Sequence, residues 1–106
     1  MYNLEVQSKA HKDAERIDDY IRFTLFNEPA ANDFIDTLEK KYKQIANNPH
    51  IFSVEYINGI FYRKALVKKY VVIFRIDEQN HIVYIIAIGH SLQKRKNIVK
   101  QNPSNN

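Results

Sequence analysis

The chain has 106 residues, of which 44% are hydrophobic and 12% aromatic, so it can bury the core of one domain and is short for two. It contains no cysteine, which excludes disulfide bonds and thiolate metal sites. The longest apolar run, Ile82–Ile88, has the length of a strand and not the roughly 20 residues of a membrane-spanning helix. The N-terminus lacks the basic and apolar segments of a signal peptide, so the sequence predicts a cytoplasmic protein without membrane contact.

Charge is distributed unevenly along the chain. Residues 1–60 contain seven lysines and arginines and ten aspartates and glutamates, a net charge of −3. Residues 61–106 contain nine basic and two acidic residues, a net charge of +7. A basic half on a small domain favours a partner that carries phosphate groups or an acidic protein, although a solvated surface would give the same net charge.

The first half of the chain predicts one short strand and two helices. Tyr2–Val6 alternates apolar and polar residues, as a strand does, and Ser8 then offers an N-cap oxygen. Apolar residues follow at helical spacings of three and four. In the first helix these residues are Ala10, Ala14, Ile17, Ile21 and Leu25, and in the second they are Ala31, Phe34 or Ile35, Leu38, Tyr42 and Ile45. Because Pro29 begins a new helix directly after the first one ends, residues 8–26 and 29–47 are predicted to form an antiparallel αα-hairpin.

The second half predicts strands. Three segments rich in Val, Ile, Tyr and Phe are separated by short turns, and they cover Ile60–Val67, Tyr70–Ile76 and His81–Gly89. They should form an antiparallel meander, while the pattern of residues 50–58 predicts no element. In the middle strand Tyr70, Val72, Phe74 and Ile76 should pack on the hairpin, with Arg75 on a helix-free opposite face.

These elements predict an α+β fold in which an N-terminal strand and an αα-hairpin precede a three-stranded antiparallel meander. Both helices should pack on one face of a single sheet. One domain should cover residues 1–101, followed by a polar tail at residues 102–106.

The order of these elements resembles the RelE/ParE superfamily of small bacterial toxins over roughly residues 2–98. The segments that carry the resemblance are Ala14–Ile21, the hairpin residues Asn27, Pro29, Ala30, Ala31, Phe34 and Leu38, Asn48-Pro49, and the strand segments Arg63–Leu66, Tyr70–Arg75 and Ile85–His90. The resemblance implies the toxin of a type II toxin–antitoxin module, inactive while a cognate antitoxin binds it in a hetero-oligomer.

Members of this superfamily that cleave mRNA do so on the ribosome and without a metal or cofactor, so the resemblance implies RNA and the ribosome as partners. In-line attack by a ribose 2′-hydroxyl requires proton transfer and cations beside the phosphate. Arg75 and His90 are the candidate catalytic residues. The candidate RNA-binding residues are Arg63, Lys64, Lys68, Lys69, Lys94, Arg95 and Lys96. His11, His50 and His81 have no metal-ligand spacing, and no metal site is predicted.

A structural role is the alternative for both catalytic candidates. The Arg75 stem can cover Tyr84 or Ile86 while its guanidinium reaches water, and His90 can hydrogen-bond to a nearby loop. The sequence also differs from the ribosome-dependent nucleases: Val71 lies where they carry an arginine, and Ser91 and Asn97 lie nearest to their C-terminal basic residue and tyrosine. The resemblance therefore also implies an alternative function, a ParE-like toxin that lacks a nuclease site and inhibits DNA gyrase by binding it.

Overall fold

The structure is a computed structural model that describes residues 1–100, so the predicted tail at residues 102–106 lies outside the described residues. It has five strands, a helical hairpin and a short third helix. In chain order the elements are β1 (Asn3–Val6), α1 (Ser8–Asp19), a π-helical turn (Tyr20–Thr24), α2 (Glu28–Asn47), a 3₁₀ turn (Pro49–Ile51), β2 (Ser53–Ile57), β3 (Ile60–Val67), β4 (Tyr70–Asp77), β5 (Ile82–His90) and α3 (Arg95–Val99). None of the helices in this part of the chain is long and apolar enough to cross a membrane.

The strands form one mixed sheet in the order β1-β5-β4-β3-β2. β1 runs parallel to β5, and the other neighbours are antiparallel. The predicted α+β class is confirmed, but the meander has four strands because β2 forms within the segment for which no element was predicted. In β2, Ser53 and Glu55 alternate with Val54 and Tyr56, but this pattern covers only five residues, which is too short to indicate a strand by itself, and only Ile57 is buried.

The main core lies between the hairpin and one face of the sheet. The buried residues shared by these two layers include Ala10 and Ile17 of α1, Phe34, Leu38 and Ile45 of α2, and Val72 and Phe74 of β4. Tyr70 and Ile76 pack against the same cluster. The predicted orientation of β4 toward the hairpin is therefore confirmed.

The opposite face of the sheet is not free of helices, which corrects the prediction for the surroundings of Arg75. α3 packs there, and its buried Ile98 joins Ile57 and the inward side chains of β4 and β5. Gly89 permits this contact, because a Cβ atom at that position would lie 2.6 Å from Ile98 Cγ1. This short helix has too few periodic residues to be recognised in the sequence.

A buried aspartate, Asp13, connects α1 to the sheet. β1 pairs with β5 only as far as Val6 opposite Ile85, and the N–H of Ile88 lies beyond the end of that pairing. This N–H donates to Asp13 Oδ2 at 3.0 Å. Lys9 Nζ and Arg16 Nη2 also donate to the carboxylate, at 2.9 and 2.8 Å. A carboxylate that is 2% exposed thus has hydrogen-bond partners from its own helix and from the sheet.

The two ends of α1 differ from the sequence prediction. The helix begins at Ser8 itself, with Gln7 in the cap position and no side-chain capping hydrogen bond, so Ser8 is not the N-cap. At the other end the α-helix widens into the π-helical turn, and Leu25, predicted to be buried, is exposed. A π turn has more residues per turn than an α-helix, so the apolar stripe does not continue past Ile21.

We predict that Asp13→Ala destabilises the chain by about 2–4 kcal/mol, because it leaves the buried N–H of Ile88 and two cations without their acceptor. Asp13→Asn should cost less, since an amide oxygen can still accept from Ile88. Urea denaturation followed by circular dichroism measures both. Asp36→Ala on the exposed side of α2 is the control and should stay within about 0.5 kcal/mol of wild type. An unchanged urea midpoint for Asp13→Ala would contradict the role assigned to this carboxylate.

We also predict that Gly89→Ala costs about 1–3 kcal/mol in the wild-type chain, because the new methyl group overlaps with Ile98. In an Ile98→Ala background the same change should cost much less, since the space is then free. A double-mutant cycle by chemical denaturation measures the coupling of the two residues. Equal costs of Gly89→Ala in both backgrounds would show that α3 does not pack on Gly89.

Candidate functional site

Arg75 lies on the face of the sheet opposite the hairpin, in a row of aromatic residues. It pairs with Tyr84 across β4 and β5, and its Cζ lies 5.9 Å from the centre of the Tyr84 ring. Because Arg63 pairs with Phe74, the register brings Tyr62 of β3 to the other side of Arg75. We call Tyr62, Arg75 and Tyr84 the outer row. It combines an exposed guanidinium with two aromatic faces.

His90 ends β5 on the hairpin side of the sheet. It pairs with Tyr70, and the two rings meet edge to face with their centres 5.7 Å apart. His90 Nδ1 accepts a hydrogen bond from the backbone N–H of Leu92 at 3.1 Å. One ring nitrogen is thus used in the local turn, which leaves Nε2 for other partners.

The structure does not bring Arg75 and His90 together. Tyr70, the partner of His90, lies five residues before Arg75 in β4, a separation of about 16 Å along the strand. The two side chains also point to opposite faces, since Tyr70 packs with Phe34 of the hairpin and Arg75 lies in the outer row. A scissile phosphate beside one of them is therefore out of reach of the other.

Two of the candidate RNA-binding residues contact the helical side of the molecule. Arg63 donates from Nη1 to the carbonyl oxygen of Phe52 at 2.8 Å, and it fastens the connection between α2 and β2. Lys68 forms an ion pair with Asp33 of α2 at 2.8 Å. Both cations therefore already have protein partners, although the pair at Lys68 is exposed and therefore weak.

Lys64 and Arg95 share a carboxylate on the opposite side of the sheet. Lys64 Nζ lies 2.6 Å from Glu55 Oε1, and Arg95 Nε lies 3.5 Å from Glu55 Oε2. Arg95 also donates to the carbonyl oxygen of Ser91 at 2.7 Å. This cluster connects β2, β3 and the beginning of α3, so both cations contribute to the packing of the third helix.

The remaining candidates are exposed lysines at two separate places. Lys69 lies in the turn between β3 and β4, whereas Lys94 and Lys96 lie at the start of α3. Lys96 borders a surface pocket with Ile57, Tyr62 and Val99. Of these three lysines, Lys94 and Lys96 are therefore on the same side of the sheet as the outer row.

The sequence analysis missed a polar cluster formed by Tyr2, His50, Glu78 and His81. Glu78 Oε1 accepts from the Tyr2 hydroxyl at 2.8 Å, and its other oxygen contacts Nε2 of His50. The Tyr2 ring stacks on His81 with ring centres 3.8 Å apart. These residues come from three distant segments, so no spacing in the sequence indicates that they meet.

Hydrogen bonding shifts the acid–base properties of this cluster. The pKa of Glu78 lies below its ordinary value of 4.5, chiefly because of the hydrogen bond with His50 and then that from Tyr2. The hydrogen bond that the Tyr2 hydroxyl donates to Glu78 raises the pKa of this hydroxyl, because its acceptor is a carboxylate. Among residues 1–100, no three histidine, aspartate or glutamate side chains lie close enough together to hold a metal ion.

Comparison with known proteins supports the fold. The profile of the family described as the ParE toxin of type II toxin-antitoxin systems, parDE, matches residues 4–95. The RelBE2 toxin–antitoxin complex from Mycobacterium tuberculosis contains a similar structure, with a TM-score of 0.55 and 17% identity over 84% of this chain and 96% of that chain. The E. coli RelBE complex also matches, with a TM-score of 0.55 and 15% identity over 88% of this chain and 100% of that chain. At these sequence identities the similarity to the two structures concerns the fold, which is the predicted RelE/ParE-like fold. The search of curated protein sequences found no match.

The lowered pKa of Glu78 generates a prediction about acid stability. A carboxylate with a lowered pKa in the folded state stabilises the fold above its unfolded pKa, and this contribution disappears as the pH falls through the folded value. The free energy of unfolding of the wild type should therefore fall faster than that of Glu78→Gln as the pH drops below about 4.5. Urea denaturation at several pH values between 6 and 3 measures the difference. Glu39→Gln, on an exposed part of α2, is the control, and parallel curves for wild type and Glu78→Gln would contradict the prediction.

Proposed function

Since the chain belongs to the family of ParE toxins of type II toxin–antitoxin systems, we propose that the free chain arrests growth and that a cognate antitoxin binds it and keeps it inactive. The net charge of +7 in residues 61–106 supports an acidic partner, because complementary charge speeds association and favours the right partner. Both solved structures compared above are toxin–antitoxin complexes. The toxin domain in this proposal is residues 1–101, and its place of action is the cytoplasm.

For the mechanism, we propose that the chain inhibits a protein target by binding it, and the family resemblance makes DNA gyrase the first target to test. The separation of Arg75 from His90 is the observation that supports this mechanism over RNA cleavage. Cleavage needs a cation and a proton-transfer group at one phosphate. Here these two groups lie on opposite faces of the sheet, and Arg63, Lys64, Lys68 and Arg95 already contact carboxylates or carbonyl oxygens.

A metal-independent mRNA endonuclease on the ribosome is the second candidate, and the outer row is the observation that favours it. Tyr62 and Tyr84 offer faces on which bases can stack, and the Arg75 guanidinium between them can bond to a phosphate. Lys94 and Lys96 would add long-range attraction to RNA. In this mechanism Arg75 stabilises charge on the phosphate, and the proton-transfer group would have to come from the ribosome or from a residue other than His90.

Two single substitutions separate these mechanisms. If the chain acts by protein binding away from these residues, Arg75→Ala and His90→Ala should arrest growth within about threefold of the wild type and leave gyrase inhibition unchanged. Loss of a transition-state contact would instead reduce a cleavage rate by roughly 30- to 1000-fold. Growth curves after induction, a gyrase supercoiling assay and primer extension on cellular mRNA are the measurements. Circular dichroism verifies that each variant is folded.

The expected result is gyrase inhibition by wild type and both variants, without new mRNA 5′ ends. New 5′ ends that appear with wild type and vanish with Arg75→Ala would overturn the protein-binding mechanism in favour of the nuclease. Unhindered growth with high levels of folded wild-type protein would contradict the toxin role itself.

A further inference from the structure

The turn between the two long helices carries the largest group of exposed apolar side chains on the hairpin. We call residues 20–28 the hairpin tip. Phe23 is 64% exposed and Phe26 87% exposed, and Tyr20 and Leu25 beside them are also more than half exposed. Single exposed apolar residues are ordinary, but a contiguous group on a small protein indicates a binding surface.

The backbone of the tip keeps these side chains in solvent. The N–H of Leu25 donates to the carbonyl of Tyr20 at 3.0 Å, which closes the π-helical turn and directs Leu25 away from the core. Phe26 has a φ of 52°, a left-handed conformation that is unfavourable for an aromatic residue. π turns and strained residues cluster at functional sites, and here both occur in the same short segment.

The side chain of Arg22 makes the tip rigid. It donates to Asp18 at 2.9 Å within the first helix and to Asn32 Oδ1 at 2.9 Å in the second. Glu28 lies 3.6 Å from its Nη1. The hydrogen bonds to Asp18 raise the pKa of the Arg22 guanidinium, so it stays charged. The apolar side chains are thus presented on a fixed frame, which lowers the entropy cost of binding.

The charge around the tip limits what can bind there. Residues 18–28 contain Asp18, Asp19 and Glu28 against a single cation, Arg22. An acidic antitoxin segment would be repelled here and attracted to the basic second half of the chain. A second copy of the chain would bring two acidic tips together. The complementary occupant is an apolar pocket with basic side chains around its edge.

We propose that the hairpin tip is the surface through which the chain docks into such a pocket on the protein that it inhibits, with Phe23 and Phe26 as the apolar anchors. This inference rests on the protein-binding mechanism proposed above and adds the contact surface and the chemistry of the target pocket. Arg22 acts as a positioning residue, because it fixes the tip without occupying the pocket.

The test compares two tip variants with a matched control. Phe23→Ser combined with Phe26→Ser removes the anchors, and Asp19→Lys combined with Glu28→Lys reverses the charge. Ile51→Ser is the control, because Ile51 is 61% exposed and lies in the 3₁₀ turn after the C-terminal end of α2, about 30 Å along that helix from the tip. Loss of central anchors typically weakens an interface by about 10-fold or more. We therefore expect both tip variants to need at least about tenfold more protein for half-inhibition of purified gyrase, and Ile51→Ser to match wild type.

Three further measurements make each outcome decisive: growth arrest in cells, neutralisation by the co-expressed antitoxin, and molar mass by light scattering. Circular dichroism verifies folding. Full inhibition and full growth arrest by the folded anchor variant would overturn the proposal. The proposal would also be overturned if the anchor variant still arrests growth but is no longer neutralised by the antitoxin, because the tip would then be the binding surface for the antitoxin. A wild-type dimer that becomes a monomer in the variant, with inhibition unchanged, would assign the tip to a second copy of the chain.

The wild-type control separates this inference from the proposed target. If wild-type protein arrests growth but leaves gyrase unaffected, gyrase is the wrong target, and the growth assay alone then decides the role of the tip. Growth arrest that is lost in the folded anchor variant and retained in Ile51→Ser would support the tip as the contact surface. Growth arrest that is retained in both would overturn it.

Discussion

The hydrogen bond from the backbone of Ile88 to the buried carboxylate of Asp13 determines how the helical hairpin lies on the sheet. β1 is only four residues long, so it leaves part of the edge of β5 without a partner strand. Asp13 supplies the missing acceptor from the neighbouring helix, and Lys9 and Arg16 neutralise its charge. Burial beside this carboxylate raises the pKa of the Tyr42 hydroxyl to about 12, chiefly through desolvation. This contact fixes α1, the first helix of the hairpin, against the edge of β5.

The alternation of side chains along the strands then separates the two faces of the sheet chemically. The hairpin covers one face, while α3 covers part of the other and leaves Arg75 of the outer row exposed. The side chains of His90 and Arg75 point to opposite faces for this reason. His90 pairs with Tyr70 on the hairpin side, whereas Arg75 pairs with Tyr84 on the other side. Two residues that look like parts of one site in the sequence are therefore parts of two different surfaces. A protein-binding mechanism requires no such convergence, because an interface can use each surface independently.

The distribution of charge suggests how one small chain can serve two partners. The acidic, apolar hairpin tip and the basic second half offer complementary surfaces to partners of opposite charge. A target and an antitoxin would then meet different surfaces of the same molecule. In that arrangement the antitoxin inhibits the toxin by steric hindrance or by changing its conformation. It need not compete with the target for the same apolar anchors.

The sequence by itself determined the elements whose periodicity is strong. The helical spacing in residues 8–47 predicted the hairpin, and the Val, Ile, Tyr and Phe content of β3, β4 and β5 with their short turns predicted the antiparallel strands. The alternation along β4 predicted the face that packs on the helices. The sequence also showed which residues are cations. Which of these cations are exposed and which pair with an acidic side chain depended on the tertiary structure. Glu55 holds Lys64 and Arg95, and no spacing in the sequence indicates that contact.

The tertiary structure alone decided the features that join distant segments. Asp13 and Ile88 lie 75 residues apart, and His50 meets Glu78 across 28 residues, so neither contact has a local pattern. β2 alternates polar and apolar residues over only five positions, and its pairing with β3 makes it a strand. Leu25 continued an apolar stripe in the sequence, yet the π turn exposes it. Local periodicity reports which face of an element is buried, whereas the partners of buried polar groups and the ends of elements depend on contacts that form only when the whole chain has folded.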